Sequence, residues 1–282
     1  MNKFIERYRQ LGFEFKNIAI RPCIRMNALK NSEEEFKERM NCRKVSLEKV
    51  PFLKNGFYVK SKFSPGSTPE YLLGMYYLQE AASQIPVEVL DPEGVVLDCC
   101  AAPGGKTTQI AESAEAVVAL EPNYNRMNSL INNIERMGAG NCIVYNVDAR
   151  SFEGNFDKVL VDAPCSGNYV TDSKWFEKQS VENFRQRANL QREILAQAFE
   201  CLRPGGELVY STCSLEPEED EMVVDWFLKN FDVKIMPIKT IGVDGITNPF
   251  GRELEREVRH AKRIWPSLCN TQGFFIAKFR KK

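Results

Sequence analysis

The chain has a single histidine, His260, and none of its nine cysteines stands two residues from another. Without C-x-x-C pairs or clustered histidines there is no recognisable set of zinc ligands, so no metal is expected. An odd number of thiols also argues against a disulfide framework. Lys3, Glu6, Arg7 and Arg9 stand where a secretory signal would begin its apolar core, and no small-residue cleavage site follows. The expected compartment is therefore reducing and cytoplasmic. Apolar runs such as Val95-Val96-Leu97 and Val159-Leu160-Val161 are strand-sized, far short of the ~20 residues that span a bilayer, so no membrane partner is expected. Internal repeats, low-complexity tracts and any feature demanding more than a monomer are equally missing.

Net charge is missing as well, with 38 basic side chains against 38 acidic in 282 residues, but the balance is local. Residues 1–60 carry 14 basic and 7 acidic groups, residues 61–250 carry 15 and 28, and residues 251–282 carry 9 and 3. Basic ends around an acidic middle suit a polyanion held at the periphery and a cationic ligand in the centre. Ordinary solvated helix faces would give the same pattern.

Up to about residue 60 the chain reads as a small α+β appendage, with Ser32 capping a helix that opens on Glu33, Glu34 and Glu35. Ser64-Pro-Gly-Ser-Thr-Pro69 is loop chemistry, and Thr68 with Pro69 predicts a helix start running to about Gln84, followed by a linker from Pro86 to Gly94. From residue 95 apolar strands alternate with helical segments: 95–98, 116–121, 142–146, 158–162 and 207–211. That alternation predicts a doubly wound, mostly parallel α/β sheet covered on both faces. The expected division is 1–85 for the appendage and connecting helix, and 86–282 for the catalytic domain. Such sheets bind ligands at the carboxyl ends of their strands, where Asp98, Glu121, Asp148 and Asp162 stand.

The first of these strands runs into Asp98-Cys-Cys-Ala-Ala-Pro-Gly-Gly-Lys-Thr107. Its small residues let a ligand approach the backbone, and the helix that follows offers free amides. Gly105-Lys106-Thr107 imitates the end of a phosphate-binding P-loop, but the first glycine of that motif would fall on Cys100. The dinucleotide pattern G-x-G-x-x-G is absent too. Glu121, 17 residues beyond Gly104, suits ribose hydroxyls. An acidic pocket without a pyrophosphate loop favours S-adenosylmethionine, a cationic sulfonium, with Asp148 placed for the adenine edge.

Two cysteines end later strands, in Asp162-Ala-Pro-Cys165-Ser-Gly and Ser211-Thr-Cys213-Ser. Carbon 5 of cytosine is too electron-poor to accept a methyl group directly. Thiolate attack at carbon 6 makes it nucleophilic, and an acid such as Asp162 at the ring nitrogen favours that addition. Methylation of an exocyclic amine would need no thiol. Either cysteine suits the role of nucleophile on this reading, with the other assisting the final expulsion.

These motifs resemble those of the Nop/Sun family of RNA cytosine-5 methyltransferases, specifically its short archaeal transfer-RNA members. Arg203-Pro-Gly-Gly-Glu-Leu-Val-Tyr-Ser-Thr-Cys-Ser214, Gly273-Phe-Phe-Ile-Ala-Lys278, Arg25-Met-Asn-Ala-Leu-Lys30 and Gly66-Ser-Thr-Pro-Glu-Tyr71 extend the likeness over most of the chain from about residue 20. The resemblance implies a Rossmann-like class I methyltransferase core with an amino-terminal RNA-recognition lobe. It implies Cys213 as nucleophile and Cys165 as the residue that helps release product. Cofactor contacts are implied at Cys100, Ala101, Ala102, Pro103, Gly104, Gly105, Lys106, Glu121, Arg126, Asp148 and Asp162. One departure is Ser267, where many relatives carry histidine. RNA grip is expected from the basic lobe and the basic tail, Lys278–Lys282. The substrate leans toward transfer RNA, with ribosomal RNA, a non-catalytic RNA-binding or assembly factor, and a nucleoside triphosphatase as the rival readings.

Overall fold

The computed structural model describes residues 2–282. Helix α1 (Lys3–Gln10) opens the chain, its first turn capped by the Asn2 side chain accepting from Phe4 N. A four-stranded antiparallel sheet follows, in the order β2-β3-β1-β4, built from β1 (Cys23–Met26), β2 (Ser46–Lys49), β3 (Gly56–Lys60) and β4 (Tyr76–Leu78). Helix α2 (Glu33–Cys42) has the capping box expected at Ser32, completed by Glu35. It buries Phe36 and Met40 against Ile24, Phe57 and Tyr76 of the sheet. The appendage is thus α+β, as its patterning suggests.

The single helix expected from Thr68 to Gln84 does not form. Thr68 does cap a helix, accepting from Tyr71 N, but α3 is only Pro69–Leu72. Gly74 then turns at a φ of +68°, and Tyr76 is drawn into β4, where Tyr76–Leu78 pair with Ile24–Met26. Sheet pairing overrides a helix start signal there. The stretch expected as a linker is largely helical, because α4 (Ala81–Leu90) continues through Pro86 and buries Ile85, Val87 and Leu90.

The second sheet has nine strands, in the order β11-β12-β13-β9-β8-β5-β6-β7, with β10 also paired to β13. Its parallel half comprises β5 (Val95–Asp98), β6 (Ala116–Leu120), β7 (Cys142–Tyr145), β8 (Phe156–Asp162) and β9 (Leu202–Thr212). The antiparallel half comprises β10 (Val233–Met236), β11 (Val243–Asp244), β12 (Lys262–Ile264) and β13 (Phe274–Lys281). Crossovers run through α5 (Gly105–Ile110), α6 (Tyr124–Met137), α7 (Trp175–Lys178) and α8 (Val181–Glu200). Helix α9 (Glu221–Asn230) and the short α10 (Pro266–Cys269) lie among the antiparallel strands. Two extended cores flank the sheet, one containing Val159, Val161, Leu208 and Tyr210 and the other Val96, Leu160, Val209 and Ile276. The order reverses at β5, which puts β6 and β8 on either side of it and opens a crevice at their carboxyl ends.

The basic tail is not a free arm. Lys278 and Arg280 both pair with Glu207, at 2.8 and 2.6 Å, Lys281 donates to the Phe199 and Leu202 carbonyls, and Lys282 pairs with Asp232. Because β13 runs antiparallel to β9, with Arg280 opposite Glu207 and Phe275 opposite Thr212, these cations lie at the end of the sheet away from the crevice.

Candidate active site

Strand β5 ends on Asp98, which is buried, and the loop from Cys99 to Gly104 carries the chain into α5. Gly104 takes a φ of +106°, a conformation that side chains with a Cβ rarely adopt. Asp98 fixes the loop from beneath. Its carboxylate accepts from the Thr107 hydroxyl at 2.7 Å and from Cys100 N at 3.4 Å. Burial pushes its pKa up to about 6 against the help of that hydroxyl. The loop faces a cleft of about 230 Å³ lined by Cys100–Pro103, Gly105, Lys106 and Asp162 on one side. Tyr77–Glu80 and Ser83 form the other side, so β4 of the appendage and the start of α4 supply that wall.

Glu121 follows β6 and is buried, accepting from Asn123 N at 2.9 Å. Arg126 spans the gap between this acid and the loop, 3.3 Å from Glu121 Oε2 and donating to the Ala102 carbonyl at 2.9 Å. Asp148 lies nearer solvent after β7. It caps the turn 149–151 through Arg150 N and pairs with the Arg150 guanidinium at 2.8 Å, which holds its pKa below the usual range.

At the ends of β8 and β9 the two cysteine motifs meet. Cys165 Sγ and Cys213 Sγ are 2.9 Å apart, and both thiols are free. The shared hydrogen bond acts on them oppositely. With Cys165 as the donor, the bond holds Cys213 below the ordinary thiol range against burial and the Asp162 charge, and the Lys106 ammonium helps. Donating it, together with burial, pushes Cys165 well above that range. Asp162 stands beside the pair, accepting from Lys106 Nζ at 2.7 Å and from Ser211 Oγ at 2.8 Å. The structure therefore brings Asp98, Cys100, Lys106, Asp162, Cys165 and Cys213 to one crevice, with Glu121 and Asp148 along its β6–β7 side.

Three supporting residues were not singled out from the sequence. Asn168 donates to the Cys213 carbonyl at 2.8 Å and to the Gly273 carbonyl at 3.2 Å. Glu219 accepts from Ser166 N at 2.9 Å and from the Gln191 amide at 3.2 Å, and Gln191 also holds the Pro164 carbonyl at 3.0 Å. The Pro-Cys-Ser turn is thus tied down on both sides of Cys165. Glu219 sat inside the acidic run Glu216–Glu221, which reads as surface charge, yet every acid in that run is buried. Ser267 lies apart from these groups, its hydroxyl 3.5 Å from the Glu14 carbonyl.

The model of the family described as 16S rRNA methyltransferase RsmB/F matches residues 87–280, and that of the N-terminal domain of 16S rRNA methyltransferase RsmF matches residues 2–81. The chain belongs to the RsmB/F methyltransferase family. Among RsmB/F relatives, a tRNA (cytosine(49)-C(5))-methyltransferase of Pyrococcus abyssi is 39% identical, over 99% of this chain and 96% of its own length. A human 28S rRNA (cytosine(4447)-C(5))-methyltransferase is 37% identical over 92% of this chain and only 34% of its own. For ribosomal RNA small subunit methyltransferase F of Aliivibrio fischeri the figures are 36%, 93% and 58%. In three dimensions, a methyltransferase homolog from Pyrococcus horikoshii superposes with a TM-score of 0.86 at 35% identity, covering the whole of both chains. NSun6 from the same organism, solved with SFG, gives 0.82 at 25% identity over 99% of this chain and 94% of that one.

The cofactor of this RsmB/F chain is S-adenosylmethionine, and the residues present fit it. A carboxylate at the end of β6, a second at the end of β8 and a small-residue loop beneath them suit ribose hydroxyls and a cationic sulfonium. Among the described residues, no helix is long and apolar enough to cross a membrane, and no three His, Cys, Asp or Glu side chains are grouped to hold a metal ion.

Proposed function

We propose that this enzyme methylates carbon 5 of cytosine in RNA, with transfer RNA as substrate. The observation that carries the reading is the Cys165–Cys213 pair at 2.9 Å beside Asp162. Two free thiols facing each other at adjacent strand ends beside a carboxylate suit covalent chemistry on a pyrimidine. Cys213, the thiol held toward its ionised form, is the nucleophile, and its sulfur adds to carbon 6 of the base. Asp162 is placed to hold a proton at the ring nitrogen as that addition proceeds, and Lys106 and Ser211 fix its two oxygens. The bound cofactor supplies an electrophilic methyl group, for which the loop Cys100–Lys106 with Glu121, Arg126, Asp148 and Asp162 forms the seat. Water takes the carbon 5 proton, the electron pair of that carbon–hydrogen bond re-forms the ring double bond, and the carbon 6–sulfur bond breaks with its pair returning to Cys213 as thiolate. Cys165, which keeps its proton in the resting pair, assists the return of Cys213 to its starting state. The target nucleotide must leave its stack to reach these partly buried thiols at the strand ends.

Transfer RNA is favoured over ribosomal RNA because the Pyrococcus abyssi tRNA enzyme is matched along 96% of its length, whereas the rRNA relatives from human and Aliivibrio fischeri are matched along 34% and 58% of theirs. The four-stranded lobe, whose β4 walls the cleft, serves as the RNA-facing domain. Two single variants, incubated with S-adenosylmethionine and unmodified transfer RNA, test the mechanism. Cys165→Ala should accumulate a denaturant-resistant protein–RNA adduct and Cys213→Ala should form none. The reverse pattern would exchange the two roles. Methylation of ribosomal but not transfer RNA by the wild type would overturn the substrate.

A further inference from the structure

With the basic tail occupied at the far end of the sheet, the grip on a polyanion has to come from elsewhere. A groove of about 710 Å³ opens between α1, the stretch of α8 from Val181 to Arg192 and the loop 249–252, and four arginines line it: Arg7, Arg185, Arg192 and Arg252. Helix α8 ends where the Cys201 carbonyl meets Phe156 N, at the start of β8, so its opening turns stand at the carboxyl end of the sheet, on the same side as the thiol pair. The segment Glu216–Glu219 separates the two. Glu219 supports the Cys165 turn, and Glu218 pairs with Arg7 at 2.7 Å on the groove side.

Two of the arginines are accounted for by acids of the chain. Arg7 is held by Glu216 and Glu218, and Arg185 lies 3.9 Å from Glu182. Arg192 and Arg252 have no carboxylate partner among the described residues. Arg192 donates only to the Asn189 side chain, at 3.2 Å, and its Nε is buried with no hydrogen-bond partner at all. Arg252 reaches only the Met222 sulfur, at 3.9 Å. Burial and the charge of Arg252 both lower the pKa of Arg192, so the two cations act against one another across the groove. Beside them, Phe250 sits at a φ of +53° with the Arg7 guanidinium 4.3 Å above its ring. Strained backbone of this kind clusters at ligand clamps. A half-buried guanidinium with an idle donor, facing a second unpaired cation, is an arrangement that an anion completes.

We propose that Arg192 and Arg252 form a phosphate-binding site that holds the RNA backbone beside the active-site crevice. The inference rests on the reading of RNA as substrate. The ligand is a phosphodiester group, recognised by two fixed forks of N–H donors and carrying no base information. Its role is to position the duplex or loop that bears the target nucleotide.

The test measures equilibrium binding of unmodified transfer RNA to the full chain over a salt series, for the wild type, Arg192→Gln/Arg252→Gln and the control Arg203→Gln. Arg203 is an exposed cation paired with Asp157 at 2.5 Å near the other end of β8. The double variant should bind about tenfold more weakly at low salt, with the slope of log K against log salt reduced by about 1 to 2, and the control should match the wild type. An unchanged S-adenosylmethionine affinity certifies that the variant has kept its fold. An RNA affinity and slope equal to the wild type's would overturn the site. If inorganic phosphate raises the melting temperature of the wild type but not of the double variant while RNA binding is the same, the groove holds a free anion and its assignment to RNA fails. A wild type that binds and methylates no RNA would instead sink the underlying function.

Discussion

At the ends of β8 and β9, Asp162, Cys165 and Cys213 are each held by neighbours within the protein, among them Lys106, Ser211, Asn168 and the Glu219–Ser166 bond. At the end of β7, Asp148 has only Arg150, an exposed side chain shared with Glu193. The flanking strand is open as well, with Ile143 and Tyr145 exposed on β7. One side of the crevice is held by hydrogen bonds within the protein, and the other is open to solvent. That division matches the roles proposed for the two sides. A nucleophile and an acid need positions set to a fraction of an ångström, whereas ribose and adenine contacts need only complementary groups at a roomy rim. Glu121 sits between the two regimes, more buried than the partly buried thiols but reaching the loop through a half-exposed arginine.

The sharpest way to break the comparison is to exchange single atoms on the fixed side. Cys213→Ser should lower methyl transfer at least about 10⁴-fold, since an alcohol in that position has no thiolate character, and a single-turnover assay with labelled cofactor reads it directly. Asp162→Asn should cost about 10²- to 10⁴-fold in the same assay. Its effect should fall on the chemical step, with RNA affinity preserved. Retention of more than a tenth of wild-type activity by either variant would mean that the fixed side is structural.

A third prediction concerns stability. Burial raises Glu219 to about 7 and Asp98 to about 6, whereas unfolded carboxyl groups titrate near 4. Both pKa values are raised, so the native state binds more protons than the unfolded chain in between. Their contribution is present in full below about pH 4 and is lost as pH rises through about 6 to 7. Glu219→Gln, neutral at every pH, should therefore differ from the wild type most above pH 7 and converge with it toward pH 4. The gap should change by on the order of 3 kcal/mol in denaturant unfolding. A gap that stays constant between pH 4 and 8 would show that Glu219 titrates no higher in the folded chain than in the unfolded one.

The sequence is legible at the strand ends on both sides of the crevice, Glu121 and Asp148 included, but not in the groups that hold the fixed side. Asp98, the loop to Lys106, Asp162 and both cysteines stand at strand ends, and alternating apolar strands predict where strand ends go. The supporting groups were hidden because their partners are remote in the chain: Glu219 meets Ser166 across 53 residues, and Asn168 meets Gly273 across 105. Nothing local marks a buried carboxylate inside an acidic run. The break between α3 and α4 was missed for a related reason, since β4 exists only because Tyr76–Leu78 pair with Ile24–Met26. Ser32 and Thr68 were readable because a cap lies within three residues of its partner.

The smallest effect belongs to the open side. Asp148→Asn removes a charge but leaves an oxygen to cap the turn 149–151, and its loss frees Arg150, which remains paired with Glu193 at 2.7 Å. If Asp148 serves the adenine edge through its carboxylate, the variant should weaken S-adenosylmethionine binding only a few-fold, because a solvent-facing contact of this kind is worth about 1 kcal/mol. Calorimetric titration of the cofactor into both proteins reads that difference, and the rate at saturating cofactor should move little. A loss as large as that of Asp162→Asn would place Asp148 among the fixed groups and erase the distinction between the two sides. No change at all would leave it as the cap of its turn and move the adenine contact to Glu121 or the backbone beside it.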